Sequence, residues 1–118
     1  MKFNDKKSIF LQIADYFYEN ILLKKMKDQD RISSVRELAV SIEVNPNTVM
    51  RTYQHLQEND IIFNKRGIGY FIAEGAYQKS LQIKKDNFIQ EELPEFFKTL
   101  KLLNLNIDDI KKYNHENK

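Results

Sequence analysis

The chain has 118 residues, 42% hydrophobic and 31% charged, with three glycines and two prolines, so it can bury one core and a small appendage but has little room for long loops. It has no cysteine, which excludes disulfides and thiolate metal sites. The net charge of +2 is spread evenly, with 11 basic against 10 acidic residues up to Gly75 and 8 against 7 beyond it, so an anionic partner must meet charge localised on one face.

Gln12, Asp15, Glu19 and Asn20 interrupt any secretory core near the N-terminus, and no run approaches the ~18 apolar residues of a membrane span. A cytoplasmic protein without cofactor or membrane contact is expected. Ile9, Ile13, Phe17 and Ile21, widened by Phe10, Ala14 and Leu22, predict an amphipathic helix over Ser8 to Lys25. Ser8 or Asp5 can cap its start, and Lys24-Lys25 suits the negative end of its dipole. Met26 to Ser33 reads as a polar connector.

Ser34-Val35-Arg36-Glu37 has the S-x-x-E spacing of a capping box and opens a short second helix with Val35, Leu38, Ala39 and Ile42 on its apolar face. Asn45 is a good N-cap for a third helix, and Pro46 sits where a missing N–H costs nothing. Val49, Thr52, Tyr53 and Leu56 share its inner face; Asn47, Arg51, Gln54 and Glu58 share the outer one. Ile42 to Asn45 leaves the short turn that helix-turn-helix motifs use. Ile61-Ile62-Phe63 and Tyr70-Phe71-Ile72 are β-type runs around Asn64-Lys65-Arg66-Gly67-Ile68-Gly69, a small wing.

Glu74-Gly75 reads as the boundary between residues 1–75 and 76–118. Beyond it a mostly helical stretch carries Phe88, Leu93, Phe96, Phe97, Leu100 and Leu103, more large apolar residues than two short helices bury against each other. Pairing with a second copy through these six residues is the favoured reading, and folding back on the first domain is the alternative. Pro94 should kink or divide the segment. Asn104 can end it in the left-handed conformation, and Asn106 with Asp109 can cap a last helix to about Tyr113. His115 to Lys118 should fray.

The fold class expected is therefore mainly α with a small β wing: a winged helix-turn-helix followed by a helical dimerisation tail. Such a module places a helix end in the major groove of double-stranded DNA. Arg36, at the start of the second helix, can meet a phosphate or a guanine edge. Asn45, Asn47 and Thr48 form a capping cluster at a helix N-terminus, whose free N–H groups would also suit phosphate; Arg51 lies one turn on. Lys65, Arg66 and Gly67 form a basic wing tip suited to a backbone or minor-groove contact. Tyr53 reads as core with its hydroxyl at the edge. His55 and His115 lie far apart, Glu91, Glu92 and Glu95 read as solvated charges, and no nucleophile–base pair, P-loop or H-x-x-x-H spacing exists, so no enzyme is expected.

The segments SVRELA, VNPNTVMRTYQHL and KRGIGYFI resemble the N-terminal domain of the GntR family of bacterial transcription regulators, over Lys7 to about Ala73. VNPNTV followed by a short tail containing EELPEFF and LNLNIDDI is similar to the small YtrA-like branch. The resemblance implies DNA contact at Ser34, Arg36, Asn45, Asn47, Thr48, Arg51, Arg66 and Gly67, and a homodimer without a large ligand pocket. The chain departs from the family pattern at Ser33, where a proline is usual, and at Glu43, at Asp60 and near Lys25, where glycines are usual. A dimeric repressor acting on an inverted-repeat operator is the reading these features favour. A winged-helix module for protein–protein contact without DNA is the alternative, compatible with the near-neutral charge. A small-molecule-sensing regulator needs a pocket that about forty tail residues scarcely supply.

Overall fold

The computed structural model describes residues 1–114; the fraying expected of His115 to Lys118 lies outside the described residues. Helix α1 (Ile9–Leu22) follows Ser8 and buries Ile13, Ala14, Phe17, Tyr18 and Ile21, the inner positions of its 3.6-residue period. Helix α3 (Pro46–Glu58) buries Val49, Thr52, Tyr53 and Leu56. The two helices form the centre of the core, with the Phe17 ring edge-on to Tyr53 at 5.7 Å. Each large side chain so buried contributes roughly 1.5–3 kcal/mol. Helix α2 (Val35–Ser41) adds Leu38 and Ala39, and Ile32, Ile61, Ile62 and Ile72 close the core from the sheet side.

The wing is a hairpin of β2 (Ile62–Lys65) and β3 (Gly69–Ile72), paired from Ile62↔Ile72 to Lys65↔Gly69. A third strand, β1 (Arg31–Ile32), joins it antiparallel to β3, giving the order β1-β3-β2. The connector expected over Met26 to Ser33 thus contains a strand. Two residues are too few to carry an alternating pattern, and the pairing is set by a partner almost forty positions away.

Helix α1 stops at Leu22, three residues short of the expected Lys25, because Lys24 takes a left-handed φ of 61°. The Lys24 N–H donates to the Ile21 carbonyl and the Lys25 N–H to that of Asn20, the paired bonds of a Schellman ending. The same ending recurs after α2 at Glu43 (φ 55°), after α3 at Asp60 (φ 57°) and at Asn104 (φ 60°). At Asn104 this agrees with the stop that its sequence predicts. Lys24, Glu43 and Asp60 hold the conformation without glycine, at or beside the positions where the family pattern has one.

The chain divides into two compact units, Met1–Ile83 and a second from Lys84 onward. Gly75 instead marks the start of helix α4 (Ala76–Asn87), whose first turns belong to the first unit: Ala76 and Ser80 are fully buried, and Ile83 packs on the first core. In the second unit a π-helical turn, Phe88–Glu92, leads into helix α5 (Leu93–Leu102), and α6 (Ile107–Lys111) follows. Pro94 therefore changes the helical pitch rather than breaking the helix; its missing N–H and its ring are accommodated by the wider turn before it. The capping box of α6 forms as expected, with Asn106 and Asp109 each accepting from the other's backbone N–H at 3.0 Å.

Candidate nucleic-acid interface

At the start of α2 the Glu37 N–H donates to Ser34 Oγ at 3.0 Å, and the Ser34 N–H donates to Glu37 Oε1 at 2.9 Å. That backbone donor, helped by the Ser34 side chain, holds the exposed Glu37 carboxyl below the usual carboxylate range. The box fixes the first turn of α2 and leaves Arg36 exposed beside it. The Tyr53 hydroxyl donates to the Ser33 carbonyl at 2.6 Å, tying the middle of α3 to the residue just before this cap. Tyr53 is fully buried; burial first, then the Tyr70 and Glu37 charges, push its pKa well above that of free tyrosine.

At the start of α3 the Asn47 N–H donates to Asn45 Oδ1 at 2.8 Å and the Thr48 N–H to the Asn45 carbonyl at 2.9 Å, while Pro46 has no N–H at all. The free donors expected for a phosphate are already satisfied within the turn. What this helix end presents is side chains: exposed Asn47 and Arg51 with half-buried Thr48. These three share a cleft of about 350 Å³ with Ser8, Ile9 and Phe10 at the start of α1. The Arg51 guanidinium lies over the Phe10 ring, 4.1 Å from its centroid.

Thr52 donates to the Phe10 carbonyl at 3.0 Å and so locks the two helices together at this cleft. Behind Phe10 stands His55, edge-on at 6.0 Å, hydrogen-bonded through Nε2 to the Tyr18 hydroxyl at 3.2 Å. Burial, then the Asp15 charge, raises the Tyr18 pKa to about 12. By its spacing Phe10 belongs to the apolar stripe of α1 and to nothing else. Nothing local marks it as the platform for a residue forty-one positions on.

At the wing tip Lys65, Arg66 and Gly67 are all exposed, and Gly67 has a φ of 79°. The Lys65 ammonium sits 5.8 Å from the Phe71 ring centroid. Arg31, absent from the expected site, donates from its guanidinium to the Ile68 carbonyl at 2.9 Å. Met50, next to Arg51 in α3, is an apolar side chain 40% exposed. The nine residues expected to contact DNA thus fall in three places within the first unit. Ser34 and Arg36 lie at the start of α2, Asn45, Asn47 and Thr48 at the start of α3 with Arg51 one turn further along it, and Lys65, Arg66 and Gly67 at the hairpin turn.

In the second unit Phe88, Phe96, Phe97 and Leu103 are exposed and Leu93 is half-buried, whereas Leu100 is buried within the chain. Phe88, Leu93, Phe96 and Thr99, with Glu92 and Glu95, line an open apolar groove of about 480 Å³. Among the described residues no group of three His, Asp or Glu side chains converges as a metal site, and no helix is long and apolar enough to cross a membrane.

No protein-family model matches the chain. It is 38% identical over 109 residues to the HTH-type transcriptional regulator YhcF of Bacillus subtilis (strain 168), covering 92% of this chain and 88% of that protein. It is 40% identical over 87 residues to the HTH-type transcriptional repressor YtrA of the same organism, covering 74% of this chain and 66% of that protein. Its structure is similar to that of a GntR family transcriptional regulator from Listeria monocytogenes, with a TM-score of 0.80, 31% identity, and 98% of this chain and 100% of that one covered. The winged helix-turn-helix and these likenesses together identify the chain as a member of the GntR family of DNA-binding transcriptional regulators.

Proposed function

We propose that the chain is a homodimeric repressor that occupies an inverted-repeat operator. The start of α3 would enter the major groove, Arg36 would flank it, and Lys65 and Arg66 would hold the neighbouring backbone. The observation that carries the reading is the exposure of Arg36, Asn47, Arg51 and Arg66 at two capped helix starts and a hairpin turn, on one compact unit. Base edges and phosphates call for exposed cations and amides of this kind. The exposed apolar groove of the second unit supports pairing with another copy, since contiguous apolar surface of this kind is costly to leave wet. Identity with a protein named as a repressor supports repression over activation.

Two-fold pairing would set the recognition helices ~34 Å apart or a multiple of that, which is why the operator should be an inverted repeat. The test is selection of bound duplexes from random DNA by the full-length protein, followed by titration at several salt concentrations. A dimer making ~6–10 phosphate contacts should lose about 10³–10⁵ in affinity between 50 and 200 mM salt. Affinity that barely changes, or selected sequences without two-fold symmetry, would refute the contacts or the pairing respectively.

A further inference from the structure

The wing tip carries an apolar residue where a purely electrostatic contact would need none. Ile68 is 52% exposed, between Gly67 at a φ of 79° and Gly69 at 148°. Its N–H donates to the Lys65 carbonyl at 2.9 Å, and its own carbonyl accepts from Arg31 at 2.9 Å. Both backbone polar groups of Ile68 are therefore engaged inside the wing, and its side chain is what remains to offer a partner.

The surroundings hold the backbone that carries this side chain in place. A Cβ on Gly69 would lie 3.2 Å from Nε of Arg31, so the glycine is what lets the guanidinium lie against the hairpin. Arg31 belongs to β1, and β1 pairs with β3 from Arg31↔Phe71 to Ile32↔Tyr70. Its side chain thus straps the hairpin turn to the strand that leads into the capped start of α2. Lys65 and Arg66, both exposed, precede Gly67 and Ile68 in the same hairpin.

We propose that Ile68 reads the minor groove beside each recognition-helix contact and selects A·T pairs there, with Arg31 as the residue that positions it. The inference rests on the DNA-binding reading above. In the minor groove an A·T pair shows acceptors only, while G·C adds the guanine N2 amino donor. An apolar side chain fits against the adenine edge but meets the amino group sterically and strips it of water without replacing the hydrogen bond. Apolar side chains, isoleucine included, are otherwise used in the minor groove as wedges between base steps. A·T-rich grooves are also narrower and more negative, which suits Lys65 and Arg66 on the same turn.

The experiment uses the full-length protein and synthetic duplexes built on the sequence it selects from random DNA. The flank facing the wing carries A·T, G·C or inosine·C, the last having the major-groove face of G·C without the minor-groove amino group. A G·C flank should bind roughly five- to tenfold more weakly than A·T, and inosine·C should restore most of the loss. Ile68→Ser should bring the three flanks to within about twofold of one another. Arg31→Ala should shrink the same ratio, whereas a residue acting by charge alone would weaken all three flanks equally. Equal binding of A·T and G·C by the wild-type protein, or inosine·C behaving as G·C, overturns the proposal. An unchanged flank ratio in Arg31→Ala overturns the positioning role. Selection of no duplex at all overturns the DNA reading as well, and so is distinguished from failure of this inference alone.

Discussion

The Arg51 guanidinium rests 4.1 Å above the ring of Phe10, a residue of a different helix, and the Phe10 carbonyl in turn accepts a hydrogen bond from Thr52, the next residue of α3. One residue of α1 thereby anchors the Thr52 side chain of α3 and carries the Arg51 guanidinium on its ring. A planar guanidinium already stacked on a ring would lose less freedom on meeting the phosphate or base edge proposed for it.

Phe10→Leu keeps an apolar group in the cleft but removes the ring. Operator affinity should fall roughly two- to fivefold, the equivalent of one exposed cation–π contact. In an Arg51→Ala background the same change should have almost no further effect. Full additivity of the two changes in a binding titration would show that the ring does not act through Arg51.

Glu43 and Asp60 end their helices in the left-handed region, at φ 55° and 57°. A side chain there costs about 1–2 kcal/mol, and glycine removes the strain while adding ~0.4–1 kcal/mol of unfolded-chain entropy. Glu43→Gly and Asp60→Gly should each stabilise the fold by a net ~0.5–1 kcal/mol, raising Tm by a few degrees. Alanine at the same positions keeps the strain and should give no gain. Thermal melts of the four variants decide this, and a glycine variant that melts below wild type would contradict it.

The α2 cap makes stability dependent on pH in a defined direction. Glu37 is held below its usual carboxylate pKa by the Ser34 backbone donor, so folding favours its ionised form. Its contribution is complete above the unfolded value of ~4.3 and is lost as the pH falls through the lower folded value. Glu37→Gln keeps a side-chain acceptor for the Ser34 N–H but does not titrate. Its stability relative to wild type should therefore improve on acidification. Ser34→Ala should cost ~0.5–2 kcal/mol at neutral pH. Urea titrations from pH 7 to 3 measure both, and parallel curves for wild type and Glu37→Gln would contradict the assignment.

Phe96 and Phe97, exposed with ring centroids 5.9 Å apart, are the residues on which pairing should depend most. Each buried at an interface is worth about 1.5–3 kcal/mol. Full-length protein should sediment as the proposed dimer, and Phe96→Glu and Phe97→Glu should sediment as monomers with the first unit still folded. A chain cut after Ile83 should do the same, and a cut after Gly75 should not fold as well, because it removes the fully buried Ala76 and Ser80. Dimers that persist in both glutamate variants would assign pairing to another surface.

Much of this molecule was legible in its residues, and the legible parts share one property. The Ser34–Glu37 box, the Asn45-Pro46 start, the Asn104 stop and the Asn106–Asp109 box are interactions between residues one to five positions apart, so spacing alone carries them. The helical stripes that bury Phe17, Tyr53 and Leu56 are local in the same sense, since a period of 3.6 defines a face before any partner is known. Where sequence and structure part, the deciding contact is long-range or the backbone is strained. Strand β1 exists because Arg31 and Ile32 meet β3, Phe10 gains its role from Arg51, and Arg31 gains its role from Ile68. Lys24, Glu43 and Asp60 adopt a conformation that their side chains oppose, imposed by the paired bonds that close each helix. Chemical identity and local period thus determined the helices, their caps and the class of site. Only the tertiary packing of α1, α3 and the three strands decided which cation is held, by which ring, and what the wing tip presents.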